Sequence, residues 1–298
     1  MSKRVAVLIA SRQGTERPLP DLAAELSRDG FGAPRWLEDG VACELALPDD
    51  LEVVDADRLA RRSIGPAAID VAIVPSVNRR KRLLIADMDS TMIEQECIDE
   101  LAAEVGRKDE VAAVTAAAMR GEIPFDRALR DRVATLAGLD ASVVEKVLAE
   151  RITLRAGGRE LVATMRAKGA RTMLVSGGFT LFTRAIASTL GFDENRANTL
   201  VVEDGRFTGT VAEPILGRDA KLEALREGCA AHGITPADAL AVGDGANDLA
   251  MVEASGLGVA LHAKPAVAAR AHARIDHGDL TVLLFLQGYS RDEFVTDV

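Results

Sequence analysis

The stretch Leu83-Leu84-Ile85-Ala86-Asp87-Met88-Asp89-Ser90-Thr91 decides how the rest of this 298-residue chain is read. Four consecutive apolar residues suit a strand buried on both faces, as in a parallel sheet covered by helices. Two carboxylates, two residues apart, follow at once, with two hydroxyls behind them. Open α/β sheets bind their ligands outside the carboxyl ends of the strands. Residues two apart on a strand point the same way, so one carboxylate is placed to attack while the other exchanges a proton. Such chemistry needs a metal-binding loop and an anion cradle elsewhere in the chain.

Both are found downstream. From Gly158 onward helix and strand alternate: helices are expected at 159–168, 179–190, 220–232 and 248–254, and strands at 171–175, 239–242 and 258–261. Segments 199–203 and 206–211 flank Asp204-Gly205, a hairpin signal. This alternation predicts a parallel sheet with helices on both faces. The strand at 171–175 runs into Ser176-Gly177-Gly178, read as a strand-to-helix turn whose hydroxyl and backbone N–H groups would cradle a phosphate. The strand at 239–242 ends in Gly243-Asp244-Gly245-Ala246-Asn247-Asp248. Hard oxygen ligands on one loop suit Mg²⁺; helix capping explains one acidic residue there, but neither the second nor the glycines. Lys221, opening the helix at 220–232, matters as the cation that a phosphate beside several aspartates needs.

Between the first strand and Gly158, residues 94–150 are rich in Ala, Glu, Arg and Leu and read as several helices, near 96–106, 110–120, after Pro124 and after Asp140. They interrupt the α/β pattern directly behind Asp89, so they form an insertion above the strand end, placed to act as a lid.

Upstream, residues 1–78 read as a separate small α+β module, with strands at 5–10, 41–47 and 69–74 and a helix at 22–26. No catalytic constellation is visible in it. Asn78-Arg79-Arg80-Lys81-Arg82 is read as a solvated linker into the 79–298 domain. The formal net charge of −10 disfavours general nucleic-acid binding, and one Trp with one Tyr leaves little for base stacking. Cys43, Cys97 and Cys229 are odd in number and far apart, which suits reduced thiols in a cytoplasmic protein. The apolar run at 5–10 is too short for a signal peptide, and no stretch reaches the ~18–20 residues of a membrane helix. None of the four histidines has metal-ligand spacing.

Taken in order, Asp87-Met88-Asp89-Ser90-Thr91, Ser176, Lys221 and the 243–248 loop resemble the four motifs of the haloacid dehalogenase-like phosphohydrolases. Within them, residues 87–100, the lid stretch 118–125 and Leu129-Arg130-Asp131-Arg132-Val133 look like the phosphoserine phosphatase family. That resemblance implies a Rossmann-like core with a helical cap and Mg²⁺-dependent hydrolysis of O-phospho-L-serine, the last step of serine biosynthesis, through an aspartyl-phosphate. Asp87 is then the nucleophile and Asp89 the proton donor and acceptor. Mg²⁺ is held by Asp87, Asp244 and the backbone carbonyl of Asp89, with Asp248 behind them. Ser176, Gly177 and Lys221 hold the phosphoryl group, assisted by Asn247. Glu96 takes the substrate ammonium and Arg132 its carboxylate. Phe125, seven residues before Arg132, shares a helix face with it if the helix is continuous. The alternatives are a related phosphotransferase or phosphatase acting on another small phosphorylated metabolite, a glycosyltransferase and a phospho-acceptor signalling module. The module at 1–78 is similar to an ACT-type amino-acid-binding domain, and a pairing surface for a homodimer is equally open for it.

Overall fold

The computed structural model describes residues 4–119 and 122–296. Its N-terminal unit runs β1 (Arg4–Ala10), a helix Leu19–Arg28, β2 (Arg35–Glu38), β3 (Ala42–Ala46), a helix Val53–Ile64 and β4 (Ile69–Pro75). The strands form one antiparallel sheet in the order β2-β3-β1-β4. Strand alternation splits β1 between two cores. Ala6, Leu8 and Ala10 face the unit's own helices, with Leu22, Leu26 and Ala60. Val5, Val7 and Ile9 face the other way, into the core that contains Val282–Leu286 of the main domain. Each fully buried Val or Ile side chain contributes roughly 1.5–3 kcal/mol.

Polar contacts complete this join. The Asp70 carboxylate, 3% exposed, accepts backbone N–H groups of Asp276 (2.8 Å) and Gly278 (2.7 Å) and also that of His277. Arg79, expected as a solvated linker residue, is instead buried and paired with the buried Glu44. Arg80 stacks on the Tyr289 ring. Only part of the basic run is therefore solvated.

The main domain adds β5 (Leu83–Ala86), β6 (Arg171–Phe179), β7 (Glu194–Asn198), the hairpin β8 (Leu200–Glu203) and β9 (Arg206–Val211), then β10 (Ala239–Gly243), β11 (Leu257–Leu261) and β12 (Ala273–Ile275). Six of these form a fully parallel sheet, β12-β11-β10-β5-β6-β7. Central strands are apolar throughout because both faces are covered: Leu84 and Ala86 join one core, Leu83 and Ile85 the other. From β5 the chain first builds β6 and β7 on one side, then β10 to β12 on the other. The direction of winding therefore switches between β5 and β10, where open sheets leave a crevice for ligands.

The insertion after β5 contains helices Cys97–Glu104, Lys108–Met119, Phe125–Ala134 and Val143–Glu150. Arg120 and Gly121 of the lid stretch lie outside the described residues. The β8–β9 hairpin turns at Asp204 (φ 49°) and Gly205 (φ 76°) and docks on this cap. Gly138 N–H donates to the Phe207 carbonyl at 2.8 Å, and Ala141 N–H to that of Gly205. The hairpin is thus a second part of the cap, which the local sequence pattern did not indicate.

One expectation is corrected. Ser176-Gly177-Gly178 is not a turn: β6 runs on to Phe179 and the helix begins at Thr180. Pairing with β7 breaks between Val175 and Phe179, so these three residues are extended chain freed from the ladder.

Candidate active site

Four segments converge at the carboxyl ends of β5, β6 and β10. The Asp87 carboxylate is buried, and its Oδ1 accepts from Met88 N–H at 2.8 Å and pairs with Lys221 Nζ at 2.5 Å. Lys221, 2% exposed, also reaches Asp248 Oδ1 at 2.6 Å. Asp248 Oδ2 accepts the Gly245 N–H at 3.0 Å, so both its oxygens are engaged. A Cβ at Gly243 would lie 2.3 Å from Asp248 Cγ. That glycine is what lets the strand end and the Asp248 side chain pack against each other.

Asp87, Asp244 and Asp248 offer oxygens within 4.8 Å of one another. The ammonium groups of Lys221 and Lys264 offset only part of the charge of the three carboxylates, and the acid groups register the imbalance. Burial first, then the Asp248 charge, pushes Asp87 well above the usual carboxylate range, although Lys221 opposes the shift. The same two causes raise Asp244 to about 6. Burial works against the charge on Lys221, but Asp248 and Asp87 together hold its ammonium above the ordinary lysine value. A hard, oxygen-seeking cation fits this buried excess of negative charge.

Asp89 is held at both oxygens: Oδ1 accepts from Cys97 N–H and Oδ2 from Ser176 Oγ, each at 2.9 Å. Ser176 Oγ in turn accepts the Gly178 N–H at 2.8 Å. The loop that carries these aspartates is clamped from outside. Arg155 donates to the carbonyls of Thr91 (2.9 Å) and Ser90 (2.8 Å), and Ser90 sits in the left-handed region at φ 57°.

A cavity of about 370 Å³ opens above these groups. Asp87, Asp89, Asp244, Asn247, Ser176 and Gly177 line its core end. Glu96, Phe125 and Arg132 line its cap end. Lys221 and Asp248 stand behind the lining. The helix Phe125–Ala134 is continuous, so Phe125 and Arg132 share a face as expected. The Phe125 ring lies against Gly177, where an added Cβ would be 3.3 Å from it. Glu96 accepts from Ser90 Oγ at 2.8 Å; burial, and then the Asp89 charge, raises its carboxyl to about 7. Arg132 is 9% exposed and donates to Thr115 Oγ1 at 3.1 Å. It makes no ion pair with a described residue, although the Glu96 and Asp99 charges offset part of what burial takes from its guanidinium.

Sequence reasoning missed Arg155, Thr115, Arg218 and Lys264, the last three of which line the cavity. Lys264 lies three residues past the end of β11, so the strand-end rule that found Asp244 also reaches it. Arg218 lies three residues before Lys221 on the helix Arg218–Ala231. Arg155 carries no local signal: its role comes from an antiparallel bridge between Ile93 and Leu154.

Residues 84–253 match the family described as haloacid dehalogenase-like hydrolase, and the chain belongs to that family. Within it, the chain is similar to phosphoserine phosphatases. It is 48% identical to the phosphoserine phosphatase of Streptomyces coelicolor over 227 residues, 76% of this chain and 55% of that protein. It therefore spans about half the length of that curated relative. A solved phospho-aspartyl intermediate analogue of phosphoserine phosphatase is 40% identical and covers 69% of this chain and 98% of that one, with a TM-score of 0.65. A family hydrolase from Salmonella enterica serovar Typhi covers 98% of this chain and 100% of that one at 28% identity and a TM-score of 0.85. The N-terminal unit is therefore part of the shared architecture. No helix among the described residues is long and apolar enough to cross a membrane.

Proposed function

We propose that the protein hydrolyses O-phospho-L-serine to L-serine and phosphate with Mg²⁺ bound at Asp87 and Asp244, the carbonyl of Asp89 completing the protein ligands. The observation that carries the reading is the pairing of two ends in one cavity. Asp87 and Asp89 stand at the core end; Glu96, Phe125 and Arg132 stand at the cap end. A phosphoryl group at one end places the amino-acid part against a carboxylate and a guanidinium, the charges that an ammonium and a carboxylate require.

Asp87 Oδ2, outside the contacts made by Oδ1, attacks phosphorus in line. The P–O bond to serine breaks, its electron pair goes to the serine oxygen, and Asp89 supplies the proton. Asp89 then takes a proton from water as the water oxygen attacks phosphorus. The P–O bond to Asp87 breaks and phosphate leaves. Bound Mg²⁺ neutralises charge on the phosphoryl oxygens. Ser176, the Gly177 N–H and Asn247 orient those oxygens. Lys221 offsets the charge on Asp87, and Asp248 fixes Lys221. The similarity to phosphoserine phosphatases, one of them solved as a phospho-aspartyl analogue, supports this assignment.

Phosphate release from a panel of phosphorylated amino acids and sugars, with and without Mg²⁺, tests it. O-phospho-L-serine should be the best substrate, and only with the metal; Asp87→Asn should abolish turnover. Preference for a phosphosugar, or a phosphorylated alcohol acceptor among the products, would overturn it.

A further inference from the structure

The cap end of the catalytic cavity holds two opposite charges that do not meet. Glu96 and Arg132 both line it, and Arg132 is only 9% exposed, yet no ion pair joins them. The attraction is present: after burial, Glu96 is the strongest influence on the Arg132 guanidinium. We propose that Thr115 is a positioning residue: its hydroxyl holds Arg132 apart from Glu96 and so keeps both charges open for the two ends of an amino acid. This role rests on the amino-acid reading of the cap end.

The hydroxyl is oriented for that task. Thr115 Oγ1 donates its one proton to the Val111 carbonyl of its own helix at 3.0 Å and accepts from Arg132 Nη1 at 3.1 Å. With the proton committed, Thr115 has nothing to donate to a substrate carboxylate, so it does not bind that group itself. Arg132 Nε donates to the Ala128 carbonyl at 3.1 Å. Two of the five guanidinium N–H groups are thus fixed and three remain for a carboxylate. Glu96 is tied on its own side, where it accepts from Ser90 Oγ at 2.8 Å.

Thr115 lies on the helix Lys108–Met119 and Arg132 on the helix Phe125–Ala134, so the bond also crosses between two cap helices. A valine at 115 would keep the branched shape but leave the Nη1 N–H without its acceptor, in a site nearly closed to water. A charged donor in that position turns to the negative group that pulls on it most, which is Glu96. Once paired, Glu96 no longer receives an ammonium, and Arg132 has fewer N–H groups for a carboxylate. Holding the charges apart in the free protein is preorganisation: a ligand need not break an ion pair in order to bind.

Thr115→Val, Thr115→Ser and Arg132→Ala, each made in the full chain, test this with three phosphate esters. Phosphoserine carries both end groups; O-phosphoethanolamine keeps the ammonium and lacks the carboxylate; p-nitrophenyl phosphate has neither. Phosphoethanolamine is read as its competitive Ki against p-nitrophenyl phosphate, so it need not be turned over. Thr115→Val should raise KM for phosphoserine about tenfold and Ki for phosphoethanolamine about threefold, with KM for p-nitrophenyl phosphate changed by less than about twofold. Thr115→Ser should stay within about twofold of the unaltered chain on all three. In Arg132→Ala, adding Thr115→Val should change neither constant further. An unchanged phosphoethanolamine Ki in Thr115→Val would overturn the proposal, because a hydroxyl that merely aimed Arg132 would leave the ammonium end alone. So would an equal rise for all three esters, a serine variant no better than the valine one, or no competition by phosphoethanolamine in the unaltered chain. If Arg132→Ala leaves KM for phosphoserine unchanged, the amino-acid reading itself falls, and the role of Thr115 with it.

Discussion

Replacing Gly178 by alanine moves Asp89 with a single methyl group. The added Cβ would lie 2.8 Å from Asp89 Oδ2 and 3.0 Å from Ser176 Oγ, where ordinary contact begins at 3.4 Å. Gly178 has no left-handed backbone requirement, so the effect is purely steric. Asp89 cannot simply retreat, because Oδ1 is held by Cys97 N–H. The carboxylate must rotate by roughly half an ångström and give up its bond to Ser176. A 1 Å misplacement can cost ~10²-fold in rate, and general acid catalysis is itself worth about 10²–10⁴-fold. About half that displacement predicts a loss of roughly 10–50-fold in kcat on phosphoserine, or ~1.4–2.3 kcal/mol of barrier. Single-turnover kinetics separates this from a general disturbance. Serine leaves as an alkoxide and needs the proton; p-nitrophenolate does not. Serine release should slow by the full factor, while the first burst of nitrophenolate should slow by less than about threefold. Equal loss for both leaving groups would refute the role given to Asp89 and the steric reasoning with it.

Removing the guanidinium by Arg132→Ala should raise KM for phosphoserine about 10–100-fold, the worth of a charge-assisted pair, and leave KM for p-nitrophenyl phosphate within about threefold. Glu96, with its carboxyl at about 7, should make phosphoserine binding pH-dependent: the protonated form present below that value cannot pair with an ammonium, so KM should fall as pH rises from 6 to 8. Glu96→Gln should flatten that profile. Asp70→Ala leaves three backbone N–H groups of the main domain without an acceptor. It should lower stability by about 1–3 kcal/mol, read as a shift in the denaturant midpoint, with kcat little changed.

Much of the site was legible because each part is announced locally. Leu83–Ala86 can only be a doubly buried strand, and Asp87 must then stand at its end. The loop Gly243–Asp248 is likewise readable, since two carboxylates and flanking glycines at a strand end are more than helix capping needs. Phe125 and Arg132 came from the family resemblance, and helical periodicity added only that they share a face. What escaped depends on contacts between segments far apart in sequence. Arg155 acts across a two-strand bridge, and the β8–β9 hairpin joins the cap only because Gly138 and Ala141 find its carbonyls. Arg79 looked like any linker arginine until Glu44 was placed beside it. Ser176-Gly177-Gly178 misled for a different reason: glycine pairs mark turns and broken ladders alike, and only the pairing of β6 with β7 tells them apart.

The shared face of β1 has a consequence for how this protein can be cut. Val5, Val7 and Ile9 cover the core around Val282–Leu286. Cleavage near residue 78 would not release two working halves. It would strip an oily seam from both, leaving each fragment with a sticky surface and the catalytic half prone to clump. Natural chains or expression vectors that carry the catalytic half alone must repaint that seam with charged or hydroxylated residues before the fragment stays dispersed.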